Sequence, residues 1–186
     1  MRKTALIAAA GLAATLPFSA MAQMHGQQGP SYSYVEAGYI DLDVDGGPNP
    51  DGFFANGSIA LSPDLHGLLE YSRTRDGGTL HRTRVMGGYN VAVNPGVDFV
   101  ARAGWSFYRG GLMASNDDGI VGQAGIRGMA TDELELNTFI TYDDVEDKVA
   151  FSVGGVYNFT PQFGLKAGYS YSSNLEVFDV GFRFNF

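Results

Sequence analysis

Residues 178–186 read FDVGFRFNF, and apolar residues alternate with polar or small ones at every step. A period of two residues is that of a β-strand, whose successive side chains point to opposite faces. One face of this strand comprises Phe178, Val180, Phe182, Phe184 and Phe186, and the other comprises Asp179, Gly181, Arg183 and Asn185. The stretch therefore predicts a strand with one strongly apolar face and one polar face.

The other end of the chain has the pattern of a secretory leader. Arg2 and Lys3 are basic, residues 5–18 are rich in Ala and Leu, and Ala20-Met21-Ala22 has the small-x-small pattern of a cleavage site. The apolar run is shorter than the ~20 residues that a helix needs to cross a bilayer. Residues 1–22 are therefore predicted to be a cleaved signal peptide.

Length, charge and cysteine content limit what the exported part can be. Loss of Arg2 and Lys3 with the leader changes the formal net charge from −8 to −10, and such a surface repels nucleic acid. The chain has no cysteine, which excludes disulfides and thiol chemistry. Residues 23–30 are predicted to be a flexible periplasmic tail, and residues 31–186 a single folded domain.

Four short turn-like segments divide this domain at intervals of roughly 30 to 37 residues. Each of them precedes an alternating apolar run, so the repeating unit is predicted to be a β-hairpin. The segments are Ser62–Leu65, Asn94–Val97, Thr131–Leu134 and Thr160–Phe163. No proline of the domain lies inside a predicted strand, as its missing N–H requires.

Four tight turns and five longer polar loops together predict ten antiparallel strands. Ten is an even number, as in single-chain bacterial outer-membrane barrels. The predicted bounds are 31–42, 52–61, 65–75, 80–92, 97–108, 119–129, 134–143, 148–159, 163–172 and 176–186.

The two faces of these strands differ throughout. One face is apolar and ends in Tyr, Trp or Phe, which is typical of aromatic girdles at the two interfaces of a bilayer. The other face carries Arg and Glu at strand centres, where a barrel lumen can hold and pair them. Both features favour an all-β, closed, up-and-down transmembrane barrel over a soluble β-sandwich, whose strands also alternate.

Twelve charged residues are predicted on the inward face, six acidic and six basic, so their net charge is near zero. They are Glu36, Glu70, Arg82, Arg84, Asp98, Arg102, Arg127, Glu135, Asp143, Lys166, Asp179 and Arg183. An unpaired charge in a confined site costs several kcal/mol, so the balance predicts interlocking ion pairs that fill a narrow bore. Arg102, near the middle of the bore, is expected to pair with a carboxylate.

With this leader and this final strand, the chain resembles bacterial outer-membrane β-barrels, most closely small OmpA-like and OmpX-like barrel domains. The resemblance implies that the barrel-assembly machinery reads Phe186, with Phe184 and Phe182 as its alternating partners. It also implies a monomer in the outer membrane, with extracellular loops, periplasmic termini, and lipid and lipopolysaccharide as partners. Barrels of this kind usually have eight strands, which is the alternative to ten.

Few residues suggest catalysis or metal binding. His25, His66 and His81 lack metal-ligand spacing, and neither a metal nor a cofactor is predicted. The acidic pairs Asp117-Asp118 and Asp143-Asp144 are predicted near the loop rim with His81, which leaves an omptin-like protease as a remote alternative.

The protein is therefore not expected to be an enzyme. A large-solute channel would need around 16 strands, so a ten-stranded bore favours a structural or cell-surface interaction role with a charge-filled lumen. The alternative is a narrow porin-like channel for ions or small solutes.

Overall fold

The computed structural model describes residues 29–47, 49–76, 78–110 and 116–186. Within them the regular elements are ten strands: β1 (Tyr34–Val44), β2 (Asp51–Ala60), β3 (Leu65–Arg75), β4 (Thr79–Asn94), β5 (Val97–Gly110), β6 (Asp117–Met129), β7 (Leu134–Asp143), β8 (Lys148–Asn158), β9 (Phe163–Ser172) and β10 (Leu175–Asn185). The described segments include no helix that is long and apolar enough to cross a membrane. The predicted signal peptide, most of the predicted tail and His25 lie outside the described residues.

The ten strands form one closed antiparallel barrel. Each strand pairs with its neighbours in sequence, and β1 pairs with β10 to close the sheet. The closing seam runs from Tyr34 opposite Asn185 to Val44 opposite Leu175, so it occupies the full length of both strands. Closure pairs the backbone groups that an open sheet would leave bare in hydrocarbon. The structure thus confirms the all-β barrel with ten strands rather than eight.

The predicted strand bounds agree with the observed ones to within three residues. The largest difference is at β1, which begins at Tyr34 rather than at residue 31. The preceding residues turn inward: the Ser33 carbonyl accepts a hydrogen bond from the Phe186 N–H at 3.1 Å, and the Ser33 hydroxyl accepts one from the Ala60 N–H at 3.1 Å. The start of the predicted first strand is therefore a separate segment that crosses the end of the bore.

The barrel is apolar outside and polar inside. Phe182 is 65% exposed and Trp105 is 43% exposed, whereas the inward-facing Arg183 is buried. The buried apolar residues form only small clusters, such as that of Tyr32, Val100 and Phe139. Exposure of so continuous an apolar surface is unfavourable in water but favourable in the hydrocarbon core of a bilayer.

The connections between successive strands alternate between the two ends of the barrel. One end, here called the turn end, carries the short connections 61–64, 95–96, 130–133 and 159–162 together with residues 31–33. The opposite end, the loop end, carries the connections 45–50, 76–78, 111–116, 144–147 and 173–174, of which only 45–50 and 111–116 are longer than the four-residue connections of the turn end. The tightest turn-end connection is Pro95-Gly96, where Gly96 has a φ of 80° that glycine adopts without strain.

Candidate functional site: a charged bore with a plugged end

Six charged side chains form a continuous chain of ion pairs inside the barrel. In order they are Arg127, Glu135, Arg183, Glu36, Lys166 and Asp179, with nitrogen-to-oxygen distances of 2.7, 2.7, 2.6, 3.5 and 3.0 Å between successive members. The signs alternate, so the chain is neutral as a whole. It connects β6 and β7 to β10, β1 and β9. We call it the ion-pair chain.

Arg183 is the centre of the ion-pair chain. Its Nε donates to Glu36 Oε1 at 2.7 Å, and its Nη1 donates to Glu135 Oε2 at 2.7 Å. Its guanidinium also lies over the Tyr34 ring, 4.2 Å from the centroid. All four side chains are buried. One cation thus neutralises two carboxylates whose desolvation would otherwise be costly.

A second cluster is centred on Asp143, nearer the loop end. Asp143 Oδ2 accepts hydrogen bonds from Arg84 Nε at 3.0 Å, from Arg84 Nη2 at 2.7 Å and from the Ser106 hydroxyl at 2.9 Å. The Tyr108 hydroxyl lies 3.2 Å from the same oxygen. Arg84 Nη1 also lies 3.6 Å from Glu70. The cluster ties β7 to β3, β4 and β5 across the bore.

Three of the twelve predicted lumen charges form no ion pair with the described residues: Arg82, Asp98 and Arg102. The prediction that Arg102 pairs with a carboxylate is wrong. Arg102 Nε donates to His66 Nε2 at 3.1 Å, its Nη1 donates to Gln123 at 3.3 Å, and its guanidinium lies 4.6 Å from the centre of the Phe139 ring. The groups in contact with this arginine are neutral, and Glu70 lies 3.6 Å from Arg84 instead.

Residues Ser31–Ser33, here called the plug segment, fill the turn end of the bore. Tyr32 is buried, and its hydroxyl donates to Asp98 Oδ2 at 2.9 Å. Its ring centroid lies 4.6 Å from that of His66, and the Arg127 guanidinium lies 4.5 Å from the ring centre. One aromatic side chain thus contacts groups from β3, β5 and β6 at the turn end of the bore.

Backbone contacts hold the plug segment in the same place. The Ser58 hydroxyl donates to the Tyr32 carbonyl at 2.7 Å, and Arg127 Nη2 donates to the Ser31 carbonyl at 3.0 Å. Sequence reasoning missed this plug, although the alternation that places Glu36 inward also places Tyr32 and Tyr34 inward. The pattern therefore contained a signal for two aromatic side chains in the lumen.

A cavity of about 210 Å³ remains inside the barrel. Its lining extends from Tyr34 and Arg127, near the turn end, to Glu146 and Leu175 at the loop end. Arg82 and Arg102, which lack carboxylate partners, both line it. The bore is thus divided into a filled turn end and a polar cavity that reaches toward the loops.

The predicted assembly signal, Phe182, Phe184 and Phe186, lies where its alternation requires. Phe182 faces outward, and the ring centroids of Phe184 and Phe186 are 6.4 Å apart. Phe163 of β9 extends this aromatic row, 5.1 Å from Phe184. The role of the row in assembly stays a prediction.

Three of the residues considered for a protease, Asp143, His81 and Asp118, have separate partners. Asp143 points into the bore toward Arg84, while His81 Nδ1 lies 2.8 Å from the Tyr71 hydroxyl. Asp118 accepts a hydrogen bond from Trp105 Nε1 at 3.0 Å on the outer face. A general acid–base pair needs groups within reach of one substrate, and Asp143 and His81 are instead bonded to different partners.

Known proteins support the fold. No protein-family model and no curated protein matches the sequence. Among solved structures, the KdgM porin is 10% identical with a TM-score of 0.50, and the match covers 82% of this chain and 99% of the porin. The chain is a small outer-membrane-type β-barrel.

Two other solved barrels resemble this one at lower structural similarity. Ail, the attachment invasion locus protein of Yersinia pestis, is 19% identical with a TM-score of 0.41, over 84% of this chain and 99% of Ail. The outer membrane protein OprG from Pseudomonas aeruginosa is 11% identical with a TM-score of 0.47, over 86% of this chain and 99% of OprG.

Proposed function

We propose that the protein is an integral barrel of the bacterial outer membrane, with a structural or cell-surface interaction role and a lumen that is closed at rest. The observation that carries this proposal is the turn end of the bore, where the ion-pair chain and the plug segment meet at Arg127. Arg127 pairs with Glu135 at 2.7 Å and lies over the Tyr32 ring. Filling of this kind leaves no wide aqueous path.

Energetics support a closed resting state. A large solute cannot pass the ion-pair chain without separating buried partners such as Arg183 and Glu36, and a buried charge without its partner costs several kcal/mol. A ten-stranded barrel has little spare width, since water-filled channels for large solutes need around 16 strands. The barrel therefore acts through its wall and its loops.

A direct test is the conductance of the purified, refolded protein in a planar bilayer at neutral pH. We expect no steady conductance from the wild type. The matched variant Arg82→Gln changes a lumen cation that has no ion pair, and it should be equally silent. A stable open conductance in the wild type would contradict the closed lumen and favour the narrow channel.

The narrow channel is the second candidate, and one observation favours it. The 210 Å³ cavity is polar, and its lining reaches Glu146 at the loop end. Among the described residues, those at the turn end fill the bore, so a small rearrangement there would extend this cavity into a passage for ions or small solutes.

The proposed orientation places the loop end outside the cell and the turn end, with both termini, in the periplasm. The absence of native cysteine allows a clean test with single-cysteine variants. Asn174→Cys, between β9 and β10, should react with a membrane-impermeant maleimide on intact cells. Gln162→Cys, in a turn-end connection, should react only after lysis, and the reverse pattern would invert the orientation.

The proposed partners follow from this orientation. Acidic residues at the loop end, such as Asp43, Asp45 and Asp147, would face lipopolysaccharide phosphates, and divalent cations can bridge two anionic groups through oxygen ligands. Lipid would cover the apolar wall, and the barrel-assembly machinery would act on the aromatic row of β10. A monomer can pair the backbone groups of its first and last strands by itself, because β1 pairs with β10.

A further inference from the structure

The geometry around His66 defines its protonation state. Arg102 Nε carries a hydrogen and no lone pair, and it lies 3.1 Å from His66 Nε2. His66 Nε2 must therefore accept, and the ring proton must reside on Nδ1. Nδ1 lies 3.2 Å from Asn90 Oδ1, which can accept a hydrogen bond from the Nδ1–H group. In this arrangement His66 is neutral.

The neutral His66 ring supports the plug segment directly. It lies 4.6 Å from the Tyr32 ring, centroid to centroid, and is 1% exposed. On its other side it packs against the backbone at Gly88, where an added Cβ would clash with His66 Nε2. The ring thus fills the space between strand β4 and Tyr32, and any movement of it would displace Tyr32.

A second proton on His66 would disrupt this packing. It would point an N–H toward the N–H of Arg102 across 3.1 Å and place two cations in contact. Arg127 of β6, whose guanidinium lies 4.5 Å from the Tyr32 ring centre, adds a third cation. The hydrogen-bond partners of the His66 ring are Asn90 and Arg102, whereas the carboxylate Asp98 of β5 accepts the Tyr32 hydroxyl through Oδ2. Repulsion would therefore be relieved by movement of the ring and of the plug segment.

We propose that the plug segment is a gate, that neutral His66 keeps it shut, and that protonation of His66 opens it, which gives the barrel a proton-activated conductance for small ions. The gate leads into the 210 Å³ cavity that reaches the loop end, so one displacement at the turn end connects the two sides. This function goes beyond the closed resting state proposed above.

The first test is the bilayer conductance of the wild type as the pH falls from about 7.5 to about 4. Conductance should appear on acidification and rise by up to about tenfold per pH unit, the steepest dependence that one coupled proton gives. Silence over the whole range would overturn the gate and leave the closed barrel intact. An open channel already at neutral pH would instead overturn the closed resting state.

Variants assign the effect to His66 rather than to lumen carboxylates, which acid also protonates. His66→Gln offers Arg102 an amide oxygen as acceptor but takes up no proton in this range, so it should stay silent. His81→Gln is the matched control, because His81 bonds Tyr71 on the outer wall. It should respond to acid as the wild type does. An acid response retained in His66→Gln would overturn the role of His66.

Two further measurements keep the proposal testable if His66→Gln fails to insert. Tyr32→Ala should conduct at neutral pH, and silence of an inserted, heat-modifiable Tyr32→Ala protein would show that the plug segment is no gate. The ¹⁵N chemical shifts of His66 in the wild type should report the Nδ1–H tautomer at neutral pH. They should change over the same pH range in which conductance appears, and conductance without that change would refute the mechanism.

Discussion

Replacement of Arg183 by Gln tests whether the ion-pair chain stabilises the barrel. Arg183 makes three contacts of 2.6–2.7 Å with Glu36 and Glu135, and Gln can replace at most one of them. Each lost hydrogen bond to a charged group is worth about 1.5–3 kcal/mol. In this variant Glu36 still pairs with Lys166 and Glu135 still pairs with Arg127, so each carboxylate keeps one cationic partner. We expect Arg183→Gln to lower the free energy of unfolding by about 3–5 kcal/mol, the range for a broken buried pair.

Urea unfolding of the protein refolded into lipid vesicles measures this loss. Trp105 is the single tryptophan of the chain and faces outward, so its fluorescence reports insertion and unfolding. Arg82→Gln is the control, because Arg82 is also a lumen arginine but has no ion pair among the described residues, and it should change stability by less than about 1 kcal/mol. Equal losses in the two variants would refute the reasoning, since charge removal rather than pairing would then explain both.

Four further expectations can be checked on the same preparations. Deletion of Phe186 should leave export intact and impair outer-membrane insertion, seen as loss of heat-modifiable migration. Chelation by EDTA should reduce co-purifying lipopolysaccharide without unfolding the barrel, and unchanged lipid would count against cation bridging. Gly181→Ala should cost roughly 1–3 kcal/mol because its Cβ would clash with the backbone of β1, whereas Gly87→Ala, with no atom within 4 Å of the added Cβ, should be near neutral. Arg102→Met should cost only about 1–2 kcal/mol, because no carboxylate loses a partner, and a loss as large as that of Arg183→Gln would argue for an ion pair.

The wall of the barrel was predictable because a period of two fixes which side chains share a face. The bounds 134–143 predicted for β7 are those observed, and its exposed residues Leu136, Ile140 and Tyr142 are apolar or aromatic as expected. The prediction erred at residues 31–33, where the alternation continues but the chain leaves the sheet. Hydrogen bonds to Ala60, Ser58 and Arg127 bend this segment inward, and such long-range contacts leave no trace in local periodicity.

Alternation predicted which charged side chains face the lumen, but it did not predict most of the ion pairs that they form. Arg127 and Glu135 lie on consecutive strands joined by one turn, so their proximity follows from the hairpin. Arg84 and Asp143 are 59 residues apart and meet across the bore, which depends on the closure and tilt of the whole barrel. Charge counting was also insufficient for Arg102. Equal numbers of acids and bases do not require that each one finds a partner of opposite sign.

Arg127 explains how the plug segment can move while the ion-pair chain stays in place. It contributes to both, since its Nη2 pairs with Glu135 and also donates to the Ser31 carbonyl. When the plug segment leaves, Arg127 keeps its carboxylate, and no buried acid is orphaned. If Ser31 and Tyr32 move while Ser33 keeps its bonds to Ala60 and Phe186, three hydrogen bonds break, those of Arg127 to Ser31, Ser58 to Tyr32 and Tyr32 to Asp98, each worth about 0.5–3 kcal/mol. A state at that cost is accessible as a minor population, whereas breaking several buried ion pairs at once is not. Movement of the bore is therefore expected at the plug segment, and stability is expected to depend on the chain of charges beside it.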